Sequence, residues 1–194
     1  MPCWRSTNPS FNAACRPLIW LALLLPWAGA AAAGFEVLEA RSYLSGDSYR
    51  LETRLQLEFT TAVKEALESG VPLTIVVDAQ VLRQRRFVWD ERAVSKEVRY
   101  ELKTHPLSGQ YLIRDLGSGQ LRTFANLDVA IDALSHVQQL FLVEAQKLSP
   151  GQNYSARVRV RLDIESLPAP LRPTAHFSEQ WDLQSGWQEW PIVR

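Results

Sequence analysis

The segment Asn153–Glu165, NYSARVRVRLDIE, constrains the fold more than any other stretch of the chain. Tyr154, Ala156, Val158, Val160, Leu162 and Ile164 alternate with Arg157, Arg159, Arg161 and Asp163. Successive side chains of a strand point to opposite faces, so this period of two demands a strand with one apolar face and one wet, charged face. A helix would scatter the same residues around its circumference. The partner of such a strand must belong to a half-exposed sheet, which is the habit of antiparallel sheets.

The rest of the chain supplies partners. Gly34–Leu44 and the alternation Tyr49, Leu51, Leu55, Leu57, Phe59 flank Ser45-Gly46-Asp47-Ser48, and together predict a hairpin. Thr74–Val77 is β-branched and apolar enough for a buried strand. Val98, Tyr100 and Leu102 alternate with Glu97, Arg99 and Glu101. Tyr111–Asp115 returns as a further strand, and Gly117-Ser118-Gly119 forms the next turn. Phe141 and its neighbours in LFLVEAQ read as strand.

Two short helices interrupt the strands. In TTAVKEALESG, Val63, Ala66 and Leu67 lie at helical spacing, with Gly70 placed as a C-terminal cap. In Asn126–Val137, Asn126 is the N-cap, and Leu127, Ala130, Ile131, Leu134 and Val137 trace one stripe. A parallel fold would need helices between most strands, so the fold class is mainly β: an antiparallel β-sandwich or curled sheet with two short helices. Leu167–Pro173, LPAPLRP, carries three prolines and is expected to run extended, near polyproline II.

The first 33 residues read as an address. Arg5 and Arg16 precede the apolar run Leu18–Trp27, and AGAAAAG offers a cleavage site at Ala31-Ala32-Ala33. The uncharged stretch Leu18–Ala33 is 16 residues, short of the ~18 to 20 that span a bilayer. Export by a cleaved signal peptide is therefore expected, to the periplasm, with no transmembrane segment after cleavage. A single domain over 34–194 remains.

Composition then narrows the chemistry. Cys3 and Cys15 leave with the leader, so the exported domain has no disulfide, thiol nucleophile or thiolate metal site. Without the leader's two arginines the chain holds 19 basic and 21 acidic side chains, a formal −2, which makes no electrostatic case for nucleic acid. G-x-S-x-G, S-x-x-K and H-E-x-x-H are missing, and His105, His136 and His176 are far apart in sequence. No catalytic, metal or cofactor residue is assigned, and the chain reads as a non-enzyme. A hydrolase built on a carboxylate pair is the remaining catalytic alternative, with Asp47, Asp90, Glu91 and Asp115 at strand ends or turns.

Two features suggest interaction. Arg83, Arg85 and Arg86, with Arg157, Arg159 and Arg161, could receive a phosphate or carboxylate if their strands are neighbours. The plainer reading is cross-strand pairing with acids such as Glu97 and Glu101. The second feature is the ending WDLQSGWQEWP. By strand parity Trp181 and Trp187 share one face and Trp190 takes the other, so core packing is expected before a flat three-ring platform. Trp187 and Trp190 are the candidate contact residues, Trp190 first. An envelope glycan or anionic lipid is the alternative ligand for the arginines and tryptophans.

The leader, the Asn126 helix and the ending LPAPLRP with Trp181, Ser185, Trp187 and Trp190 together resemble the exported proteobacterial family known as domain of unknown function 4390. That family has no assigned activity, so no residue inherits a role. Its genes tend to lie beside those for a membrane sensor histidine kinase of the nitrogen-regulation type. The resemblance thus implies such a kinase, or another envelope protein, as the partner of a periplasmic interaction module.

Overall fold

A computed structural model describes residues 34–85 and 89–192; the leader and Arg86 lie outside them. The strands are β1 (Phe35–Ser45), β2 (Ser48–Leu57), β3 (Leu73–Arg83), β4 (Glu91–Thr104), β5 (Tyr111–Asp115), β6 (Leu121–Phe124), β7 (His136–Glu144), β8 (Tyr154–Leu162) and β9 (Gln188–Pro191). The helices are α1 (Thr61–Glu68), α2 (Leu127–Ser135) and α3 (Arg172–Phe177). A three-stranded sheet of order β1-β2-β7 packs on a six-stranded sheet of order β6-β5-β4-β3-β8-β9. Every pairing is antiparallel, as the half-wet alternation of β8 requires.

The β1–β2 hairpin closes through a two-residue loop, since Ser45 pairs with Ser48. Gly46 sits there at φ 59°, the left-handed value that a type II′ turn needs at its first central position. Register sorts β3 cleanly. Ile75, Val77, Ala79 and Val81 face the opposing sheet, with Leu162, Val160, Val158 and Ala156 of β8 beside them. From the other layer Tyr49, Leu51, Leu55 and Leu57 meet them, and Phe35 packs edge-on against Phe59 at 5.5 Å. Burying each such aliphatic side chain contributes roughly 1.5 to 3 kcal/mol, so this double row holds a domain that has no cross-link.

The expected helices form. The Thr60 hydroxyl caps α1 by accepting from Val63 N–H and donates in turn to the Gln180 carbonyl. Gly70, at φ 86°, ends the helix as Val71 N–H returns to the Ala66 carbonyl. Asn126 caps α2 through Val129 N–H at 3.0 Å. That helix stops at Ser135, two residues earlier than its stripe suggests, because Val137 pairs with Thr53 and belongs to β7.

The proline-rich segment differs from expectation. Ile164–Ser166 is a 3-10 turn, Leu171 N–H bonds the Pro168 carbonyl, and α3 begins at Arg172, giving a third helix. Proline fixes φ near −65°, a value shared by polyproline II, turns and the first turn of a helix, so composition alone does not choose among them. Leu167 and Ala175 are buried, which favours the compact path. Trp181 and Leu183 complete the core beyond it.

Candidate functional site

The outer face of the six-stranded sheet gathers three of the six arginines singled out by sequence, Arg157, Arg159 and Arg161. Register sets Arg157 opposite Gln80, Arg159 opposite Asp78, and Arg161 opposite Val76. Arg159 and Arg161 share Asp78 Oδ2, at 2.9 and 3.2 Å, while Arg157 donates twice to Gln80 Oε1, at 3.1 and 2.7 Å. Arg99 bonds Glu97 and approaches Asp163 at 3.5 Å. Glu97 bonds Arg99 of its own strand and reaches Arg161 across the sheet at 3.9 Å, whereas Glu101 keeps Oε2 buried with no hydrogen-bond partner among the described residues. The Trp187 ring lies under two guanidiniums, 4.4 Å from Arg157 and 4.6 Å from Arg159.

This face is balanced rather than basic. Arg99, Arg159 and Arg161 meet Asp78, Glu97 and Asp163, while Arg157 bonds the neutral Gln80 and has Glu189 of β9 opposite it in register. An arriving anion would have to displace carboxylates already in place. The arginine stems instead act as a lid: Val76, on the outer face between Arg99 and Arg161, is fully buried.

Arg83 and Arg85 stand apart from this cluster. Arg83 falls on the opposite parity of β3, and both guanidiniums engage Glu91. The β3 and β8 strands are neighbours, yet the two arginine groups do not form one site. Trp190 faces inward opposite Ala156 and donates its indole N–H to the Ser42 hydroxyl at 3.0 Å, so it ties β9 to β1. Trp187, by contrast, is on the outer face. Of the acids considered for catalysis, Asp47 occupies the β1–β2 turn and Asp115 caps the β5–β6 turn, while the adjacent Asp90 and Glu91 are both engaged by Arg85, Asp90 through the Arg85 N–H and Glu91, with Arg83, through the guanidiniums.

A second surface was not foreseen. The β4 strand has 14 residues, but β5 pairs only with Tyr100–Thr104, and one further bond, Leu116 N–H to the Arg99 carbonyl at 2.9 Å, ends the contact. Beyond it, among the described residues, the edge from Glu91 to Val98 has no neighbouring strand. Beside this edge lies an open groove of about 500 Å³ between the sheets, lined by the apolar Val98, Leu116, Leu140 and Phe141 and by the polar Glu97, Arg99, Asp115 and Gln138 among others. Lys96 points toward it and holds its ammonium 5.4 Å above the Phe141 ring.

Polar groups shape the groove's ends. Gln139 in β7 has φ 56°, in a bulge where Gln138 and Gln139 fall between the pairs Leu51–Leu140 and Thr53–Val137. Its carbonyl accepts from Arg50 at 3.2 Å. The Tyr100 phenol is pushed above its ordinary range by burial and by the nearby Asp115 carboxylate. Alternation in the sequence marks β4 as a strand, but nothing local says where β5 stops covering it. No glycine announces the left-handed Gln139.

A mainly β, two-sheet antiparallel sandwich with a half-covered strand is the class these features define. Residues 32–191 match the family described as "Domain of unknown function (DUF4390)", so the chain belongs to that family. Neither a curated protein nor a solved structure matches it. Among the described residues no helix is long and apolar enough to cross a membrane.

Proposed function

We propose that this protein is an exported, periplasmic interaction module without catalytic activity, accessory to an envelope protein such as a membrane sensor histidine kinase. The observation that carries the reading is the groove beside the uncovered half of β4, where apolar side chains and unpaired main chain face the same opening. Concave surfaces that join apolar walls to polar groups that fix orientation are a usual form of recognition site. The leader supports the location.

The arginine–tryptophan face favours this reading over a bound glycan or anionic lipid, because Arg159 and Arg161 already have carboxylate partners and Arg157 is engaged by Gln80. The test is affinity capture from intact envelopes, using the protein expressed with its own leader and a C-terminal tag. Recovery of an inner-membrane protein that is lost when Val98 and Leu140 are both changed to Glu supports it. Capture of no envelope protein contradicts it.

A further inference from the structure

We infer that the free edge of β4 accepts an extended segment of a partner protein as an added strand, and that Lys96 selects a segment with an acidic residue between two apolar ones. The inference rests on the interaction-module reading and specifies its mode.

The main chain supplies the first half of the argument. Because the Arg99 carbonyl faces β5, strand alternation turns the N–H and C=O groups of Glu97 and Ser95 the same way, toward the vacant edge. Val94, Lys96 and Val98 direct theirs to β3 and their side chains toward the inter-sheet side. An incoming strand would occupy the row that β5 leaves at Leu116. Its residues opposite Val94, Lys96 and Val98 would point into the groove, over Phe141 and Leu140.

Charge and geometry choose the occupant. Self-pairing centred on Lys96 would set two ammonium groups directly opposite each other, which is destabilising. Shifting the centre to Ser95 brings in Ala93, the extra residue of a bulge between the Val81–Val94 and Leu82–Arg92 pairs. Inward charges and bulges are the devices that keep exposed edges from pairing indiscriminately. Lys96 has no carboxylate within ion-pair reach among the described residues; its contact is the Phe141 ring. A carboxylate on the incoming strand opposite Lys96 turns the repulsive element into the selective one.

The probe is a fluorescein-labelled peptide, Thr-Val-Thr-Asp-Thr-Val-Thr, titrated by anisotropy against the full-chain protein, beside a version with Lys in place of Asp. The acidic peptide should bind at least about fivefold more tightly than the basic one, the ratio expected of one cross-strand ion pair. Lys96→Glu should invert that order. Ser95→Pro should abolish binding by both while leaving the thermal transition in place, since among the described residues no strand stands beside this N–H to accept it. Equal binding of the two peptides, no binding of the acidic peptide, or binding that survives Ser95→Pro overturns the inference. Envelope capture separates the two levels: a partner retained by Ser95→Pro sinks strand addition alone, whereas no partner for the unaltered protein sinks the interaction module.

Discussion

The main-chain N–H of Leu116 bonds the carbonyl of Arg99 at 2.9 Å, and with that bond the pairing of β4 and β5 ends. One hydrogen bond thus marks the border between the covered and uncovered halves of β4, a 14-residue strand. On the covered half the fold is closed and Leu102 is fully buried. On the other half the chain from Glu91 to Ala93 and from Ser95 to Glu97 is exposed.

Removing Asp78 should be costly. Its Oδ2 serves both Arg159 and Arg161, and the side chain is only 13% exposed. Asp78→Ala leaves two partly buried guanidiniums without their main acceptor, and a loss of about 2 to 4 kcal/mol is expected from denaturant unfolding. A loss under about 0.5 kcal/mol would show that the arginine face is ordinary surface pairing.

The Trp190–Ser42 bond should register as a coupling between the sheets. Each of Trp190→Phe and Ser42→Ala is expected to cost about 1 kcal/mol. The double variant should cost clearly less than the two added together, because both single changes remove the same bond. Strict additivity in the double-mutant cycle would mean that the indole N–H contributes nothing to joining β9 and β1.

Gln139 offers a prediction of the opposite sign. At φ 56° a residue with a Cβ is strained, while the bond to Arg50 uses only the main-chain carbonyl. Gln139→Gly should therefore be neutral or stabilising by up to about 1 kcal/mol, although glycine in a strand is normally unfavourable. A clear drop in melting temperature would show that the glutamine side chain, not the backbone, sets the bulge.

Asp115 should shape the acid limb of stability. Burial alone pushes its carboxyl up, but the Ser118 side chain, the N–H groups of Ser118 and Gly117, and Arg122 together hold it below the ordinary value. A depressed folded value contributes stability that is fully present above the unfolded value of about 3.9 and is lost as pH falls through the folded value. Asp115→Asn should flatten the pH dependence of unfolding below about pH 4. An unchanged acid limb would remove Asp115 as its source.

Much of this was legible in the sequence, and the remainder was hidden for identifiable reasons. Period-two alternation located β2, β4 and β8, and capping chemistry located Thr61–Glu68 and the start of α2 at Asn126, because both signals are local. Proline misdirected the reading of 167–173, since φ near −65° serves a helix as well as an extended chain. The arginines of β8 were visible, but their chief partner, Asp78, is 81 residues from Arg159 and directly follows the apolar run Thr74–Val77, where nothing local marks it as a partner. Trp190 is the first candidate for partner contact by sequence, and tertiary packing gives its indole N–H to Ser42, 148 residues away. Trp89, 90% exposed beside the β3–β4 connection, carried no distinguishing pattern. The uncovered edge of β4 depends on where another strand stops, which no period within β4 encodes.

Amide hydrogen exchange along β4 tests the central claim most directly. In the free protein the N–H groups of Ser95 and Glu97 should exchange rapidly while those of Lys96 and Val98, directed at β3, are protected; adding the acidic peptide should protect Ser95 and Glu97. Slow exchange at Ser95 and Glu97 in the free protein, or no added protection at saturating peptide, would contradict a vacant edge that takes a strand.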